Sequence, residues 1–305
     1  MQGVVIKSTG SWYSVLHENG SVIECGIKGK FRIQGIKTTN PIAVGDKVEF
    51  NMEDNGQGVI YKIEERKNYI IRKSINLSKQ SHILASNIDQ AMLIVTLAYP
   101  RTSAGFVDRF LLTAEAYHIP TTIVFNKIDL FENDVELMNE LDAFIKIYEK
   151  IGYACHKVSA LNPLSIELLR DITKNKTTLV AGHSGVGKST LVNAMDANLT
   201  LKVGEISEAH SKGKHTTTFA EMHPLQYGGF IIDTPGIKEL GIVDMEKEEI
   251  RDYFLEIRAL KGNCKFNNCI HINEPKCAVI EAVENGDIAT SRYNSYLSIV
   301  SGGEV

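Results

Sequence analysis

Gly182-His183-Ser184-Gly185-Val186-Gly187-Lys188-Ser189 has the glycine spacing and the lysine–serine ending of a loop that holds phosphates. The apolar stretch Thr178 to Ala181 reads as a strand running into it, and the residues from Lys188 onward read as a helix running out. In that setting the glycines let backbone N–H groups turn inward, and the helix adds its positive end. Lys188 is placed to reach the β- and γ-phosphates and the Ser189 hydroxyl to bind Mg2+, with Thr190 beside it as a further nucleotide-binding residue.

Such a loop suits an ATPase, a kinase or a GTPase alike. Asn126-Lys127-Ile128-Asp129 separates them. It follows the apolar run Thr121 to Phe125, at the strand end where open α/β sheets bind ligands. The Asp129 carboxylate can accept two hydrogen bonds from guanine, one from N1–H and one from the exocyclic amine. Adenine cannot supply both, and the unpaired carboxylate would cost binding on the order of 10⁴-fold. Asn126 can support the other edge of the base, and the Lys127 stem can cover its face. Ser159-Ala160, after the next strand, is the companion loop whose backbone N–H meets the guanine oxygen.

Asp233-Thr234-Pro235-Gly236 ends an apolar strand at Phe230 to Ile232. Its aspartate suits a water-bridged Mg2+, and the Gly236 N–H the γ-phosphate. Upstream, Gly213-Lys214-His215-Thr216-Thr217-Thr218 is a candidate first switch. One threonine hydroxyl there would complete the Mg2+ shell; Thr217 is favoured over Thr216. Position 237 holds Ile, which cannot orient an attacking water. GTPases without such a group turn over slowly alone, on the order of 10⁻³ s⁻¹ or less, and depend on a partner. His215 borders the switch threonines and could be swung onto that water; a solvent-exposed bystander is the other reading.

Cys264-x4-Cys269-x-His271-x5-Cys277 supplies three thiols and an imidazole, the ligand types that close a tetrahedral Zn2+ site. A full protein ligand set makes the metal structural, and in a segment with few large apolar residues it would supply much of the folding energy. Three of the chain's five cysteines lie in this cluster, which argues for metal in a reducing compartment rather than disulfides.

These groups have to be positioned by the elements between them. Residues 1–73 show five short apolar stretches separated by Gly, Asn and Asp turns, the pattern of a small closed β-barrel of OB type or SH3-like type. From about residue 88 apolar strands alternate with helical stretches, which predicts a doubly wound α/β domain over 74–240. Residues 241–305 read as mostly helical and polar around the Cys/His cluster. The 305-residue chain carries net charge −4, yet residues 1–80 are net +4 and the remainder −8. Two basic groups in the first part, one at Lys28, Lys30, Arg32 and Lys37 and one at Lys62, Arg66, Lys67, Arg72, Lys73 and Lys79, are candidate phosphate contacts or a solvated face. No apolar run reaches the roughly 18–20 residues that span a bilayer, and the start lacks a signal layout, so the expectation is a cytoplasmic protein with no membrane partner.

The base-reading motifs at 126–129 and 159–160 precede the phosphate loop, the first switch and the D-x-x-G segment, the reverse of the usual GTPase order. The G-domain is circularly permuted. With its motifs in that order, the chain resembles the RsgA (YjeQ) family of GTPases dependent on the small ribosomal subunit, over its whole length. The resemblance implies GTP and GDP as substrate and product, Mg2+, one structural Zn2+ on Cys264, Cys269, His271 and Cys277, and an OB-like barrel that binds rRNA of the small subunit, in a protein working as a monomer. His183 departs from the glutamine common in the family, and backbone binding there implies little consequence. The permutation also leads the chain after the second switch directly into the C-terminal domain, so that ordering the switch would reposition it. A signalling switch with a protein effector and no RNA is the alternative.

Overall fold

The computed structural model describes residues 1–27, 41–73, 81–201, 220–233 and 245–303. The first five strands are β1 (Gln2–Ser8), β2 (Tyr13–His17), β3 (Val22–Ile27), β4 (Lys47–Met52) and β5 (Gly58–Ile63). They pair in the closed cycle β1-β2-β3-β5-β4-β1, with β3 and β5 parallel and the other pairs antiparallel. That order is the OB-fold's and removes the SH3-like alternative. Val5, Tyr13, Val15, Cys25, Val48, Phe50 and Ile60 fill the interior, from alternate positions along each strand.

An antiparallel ribbon, β6 (Tyr69–Lys73) and β7 (Ser81–Ser86), leads from the barrel to the central sheet. At its root the buried Asp46 carboxylate takes both Nε and Nη2 of Arg66, each at 2.6 Å, and the Ser86 hydroxyl at 2.6 Å. Arg66 is therefore an internal clamp and not a phosphate contact. Lys62 pairs with Glu49 and Lys67 with Asp89. Lys28, Lys30, Arg32, Lys37 and Lys79 lie outside the described residues.

The central sheet comprises β8 (Gln90–Val95), β9 (Thr121–Phe125), β10 (Ala154–Lys157), β11 (Thr177–Ala181), β12 (Glu221–Pro224) and β13 (Phe230–Asp233), in the order β10-β9-β8-β11-β13-β12. Only the β12–β13 pair is antiparallel within it. Every residue of β8 is buried, because helices cover both faces. Leu93 and Val95 face the helices α1 (Ala104–Ala116) and α2 (Val135–Lys150), whereas Met92 and Ile94 face α3 (Pro163–Thr173) and α4 (Lys188–Met195). Caps fix where these helices begin: the side chains of Ser103, Asp134 and Asn162 each accept a backbone N–H of the first turn. On the outer side β12 meets barrel strand β1 through Lys7 and Glu221, which also form an ion pair.

The C-terminal part holds α5 (Lys247–Ile250), α6 (Leu255–Leu260), α7 (Ala278–Glu284) and α8 (Thr290–Val300). It has a real core of Ile250, Phe254, Ile257, Val279, Tyr296 and Ile299, joined by Leu112 from α1. This apolar core stabilises the domain alongside whatever a metal would contribute. Arg292 of α8 is buried between Asp108 of α1, at 2.7 Å, and Glu256 of α6, at 2.7 Å, while Tyr148 of α2 donates to the same Asp108 oxygen at 2.8 Å. This network ties the C-terminal domain to the face of the central sheet that carries α1 and α2.

Candidate functional site

The phosphate loop leaves β11 and enters α4 as its sequence implies. Gly182, Gly185 and Gly187 have φ of 143°, 82° and 93°. A Cβ built on Gly182 would stand 2.2 Å from the Ile94 carbonyl, and one on Gly187 2.4 Å from Asn126 Nδ2. Neither position admits a larger residue, so the backbone turns through a cradle only glycine fits. Lys188 Nζ donates to the Gly182 and His183 carbonyls, both at 2.8 Å, which folds the lysine back along the loop. His183 lies on Phe106 of α1, ring centroids 3.7 Å apart and planes tilted by 31°.

Lys188 and Ser189 line a small cleft together with Asp233, at the end of the neighbouring strand β13. Burial raises the Asp233 carboxyl above the ordinary range, and the Lys188 charge opposes that. A carboxylate and a hydroxyl beside a lysine form a hard-oxygen donor set that fits a phosphate-bound Mg2+. His215, Thr216, Thr217 and Gly236 lie outside the described residues.

The Asn126–Asp129 loop is bonded to the loop that joins β11 to α4. Asn126, buried at the end of β9, donates from Nδ2 to the Val186 carbonyl at 2.8 Å. Its own N–H reaches the Val95 carbonyl at 2.9 Å. Its Oδ1 is buried with no hydrogen-bond partner among the described residues, an open acceptor that fits a ligand with a donor edge. Lys127 has φ of 64° and donates to the Tyr99 carbonyl at 2.7 Å, which stretches its stem along the loop. Asp129 sits in the single turn Ile128–Leu130, half-buried. In the companion loop, the Ser159 N–H goes to Ser165 Oγ at 3.2 Å and the Leu161 N–H to Ser159 Oγ at 3.1 Å.

Sequence reasoning passed over Tyr99 and Phe106. Neither belongs to a motif; a Tyr-Pro step just past the end of β8 was the only signal for the first, and nothing marked the second.

The four metal-type ligands converge. His271 Nδ1 is 3.5 Å from Cys264 Sγ and 3.3 Å from Cys277 Sγ, the two sulfurs are 4.0 Å apart, and all four ligand atoms lie within 4.8 Å of one another. A tetrahedral ion with bonds of ordinary Zn–S and Zn–N length spaces its ligands about 3.5–3.8 Å apart. Burial pushes the Cys269 thiol up to about 12 and raises that of Cys277, so a cation is what would hold these sulfurs as thiolates. Tyr293 and Tyr296 fix the backbone by donating to the His271 and Ile270 carbonyls at 2.7 and 2.6 Å.

Among the described residues, no helix is long and apolar enough to cross a membrane. The sequence models of two RsgA families match the chain, the RsgA N-terminal domain over residues 2–60 and the RsgA GTPase over residues 63–243. A relative from Christiangramia forsetii named small ribosomal subunit biogenesis GTPase RsgA is 55% identical, covering 100% of this chain and 97% of its own. One of the same name from Flavobacterium psychrophilum is 56% identical, covering 100% and 94%. Among solved structures, YjeQ from Thermotoga maritima superposes with a TM-score of 0.80 at 37% identity, covering 99% of this chain and 97% of that one. YloQ, a circularly permuted GTPase, gives 0.75 at 31%, covering 99% and 94%. With its full length matched at this level, the chain belongs to the RsgA GTPase family.

Proposed function

We propose that this protein hydrolyses GTP to GDP and phosphate while bound to the small ribosomal subunit, and so assists late maturation of that subunit. The observation that supports the reading most is the Asn126–Val186 bond, which joins the Asn126–Asp129 loop to the Gly182–Ser189 loop although the chain presents them in permuted order.

Within that site Asp129 reads the guanine edge, Lys127 covers the base and the Ser159-Ala160 loop offers its N–H. Backbone N–H groups from Gly182 to Gly187 and Lys188 hold the phosphates, with Thr190 one residue beyond Ser189. Ser189, Thr217 and Asp233 would hold Mg2+, and the Gly236 N–H would serve the γ-phosphate. When bound, Mg2+ offsets the charge that develops on the phosphates. His215 orients the attacking water once the partner has set its loop, and Ile237 makes that partner necessary. The Cys3His set takes one structural Zn2+ through His271 Nδ1. The chain divides into an RNA-binding barrel (1–73), the GTPase domain (74–240) and the zinc domain (241–305), and acts in the cytoplasm as a single copy.

The test is the GTPase rate of the purified protein with and without purified small subunits. Stimulation of at least about 10²-fold is expected, the lower end for a positioned acid–base group. A rate indifferent to subunits, with tight GTP binding intact, would return the reading to a signalling switch.

A further inference from the structure

Among the described residues from β8 to β13, six large apolar side chains are exposed: Tyr99, Leu130, Val135, Leu161, Leu164 and Leu168. All lie just past the ends of β8, β9 and β10 or on the helix that follows. Parallel pairing sets those strand ends side by side. The Ile128 N–H reaches the Val158 carbonyl at 3.3 Å, so the loops that carry Leu130 and Leu161 adjoin. Leu161 keeps 80% of its surface in solvent, Leu164 73% and Leu168 37%. A single exposed leucine is ordinary; a row of them at one end of a sheet is not.

The backbone sets these positions in advance. The Leu161 N–H is held by Ser159 Oγ at 3.1 Å and the Leu164 N–H by Asn162 Oδ1 at 3.0 Å. Pro163 opens α3, and Ile166 and Leu169 anchor its inner face in the core shared with α4. Helical spacing then puts Leu164, Glu167, Leu168 and Asp171 on one outward face, and all four are exposed.

The charge around these leucines has one sign. Residues 128–136 and 159–171 together hold six Asp/Glu, and Arg170 is their only Lys or Arg. That guanidinium is occupied, with Nε on the Met195 carbonyl at 2.7 Å and Nη2 on the Ala194 carbonyl at 3.3 Å. Leucines among carboxylates suit neither RNA phosphates nor an anionic lipid surface. A second copy meeting this face with its own would set acid against acid. What complements it is a segment with lysine or arginine between apolar side chains, and proteins seated on RNA carry basic arms of that kind.

Resting on the reading that this protein works on the small subunit, we propose that Leu161, Leu164 and Leu168 dock a basic, partly apolar arm of a protein of that subunit, with Glu167 and Asp171 taking its cations. The preset helix limits the ordering cost on this side of the contact.

The experiment uses the full chain, a non-hydrolysable GTP analogue and purified small subunits. Leu164→benzoylphenylalanine, a photo-reactive variant, should cross-link to a Lys/Arg-rich segment of one subunit protein, identified by mass spectrometry. Leu164→Ser/Leu168→Ser should weaken binding to the subunit by about 10-fold or more. Glu167→Lys/Asp171→Lys should weaken it as well, chiefly by slowing association at low salt, whereas a contact to RNA would tighten. GDP affinity and melting temperature should stay at the parent's values in both double variants, which separates docking from folding. Cross-links to rRNA, to a second copy of this chain or to nothing overturn the proposal. So does parental affinity in the serine variant, or tighter binding in the lysine one. A parent that does not bind the subunit at all removes the functional reading, and this docking with it.

Discussion

Asn126 and Val186 are sixty residues apart in the chain, and the amide of one donates to the carbonyl of the other at 2.8 Å. Gly187, next in line, leaves room for that bond, since a Cβ there would stand 2.4 Å from the Asn126 nitrogen. Asn126→Ala should leave the buried Val186 carbonyl unpartnered, at about 1–3 kcal/mol. Thermal unfolding should fall by several degrees, and GDP affinity, read by fluorescent-nucleotide titration, should drop at least about tenfold. Unchanged values in both would show the bond to be incidental.

How much of this was legible follows from where each signal lies. The run Ala91 to Leu97 announced a strand covered on both faces, and β8 is buried along its whole length. The phosphate cradle was legible because its chemistry demands glycines at fixed spacing. Strand β12 went unread: Glu221-Met222-His223-Pro224 is short, polar and ends in proline, and only its pairing with β13 and β1 makes it a strand. The Asp108–Arg292 pair was invisible for a different reason. Its members are 184 residues apart, and each alone reads as a surface charge on a helix. Nor did spacing show that His271 turns Nδ1 toward the Cys264 and Cys277 sulfurs.

Base choice rests on Asp129. Asp129→Ala should weaken GTP and GDP binding by at least about 10²-fold without lowering the melting temperature, because the side chain is only half-buried. Competition binding on the parent should exclude ATP. Equal affinity for ATP and GTP would sink the guanine assignment.

The buried Arg292 makes the opposite kind of prediction. Arg292→Ala strands the Asp108 and Glu256 carboxylates in the interior, a loss of about 3–5 kcal/mol. Denaturant unfolding should show it, with the C-terminal helices becoming protease-sensitive first. The same network bears on the expected movement of that domain, since shifting it off α1 requires parting this pair. A variant as stable as the parent would mean that the charges are solvated after all.

Metal removal should act more locally than composition alone suggested. Purified protein should hold about one Zn2+ per chain, and Cys269→Ala should lower that content. Hydrogen exchange after chelation should loosen residues 261–277 first, while α8, packed with Leu112 and bonded to Asp108, keeps its protection. Elemental analysis of unchelated protein that finds no zinc would reject the metal.

The last prediction concerns catalysis and rests on sequence, because His215, Thr217 and Ile237 lie outside the described residues. Hydrolysis should be slow in isolation, stimulated by the small subunit, and dependent on His215. Ile237 stands where a water-orienting side chain is needed, and His215 borders the threonines suited to Mg2+. His215→Ala retains Lys188, Ser189 and Asp233, so GTP and Mg2+ binding should survive while the stimulated rate falls by about 10²–10⁴-fold. Lys188→Ala gives the contrast: it removes the cation that folds along the phosphate loop, and nucleotide binding itself should fail. The comparison requires that His215→Ala still bind the subunit in a non-hydrolysable analogue, since otherwise the defect is one of docking. If it docks normally and is stimulated like the parent, His215 is a bystander and the group that orients the water comes from the ribosome.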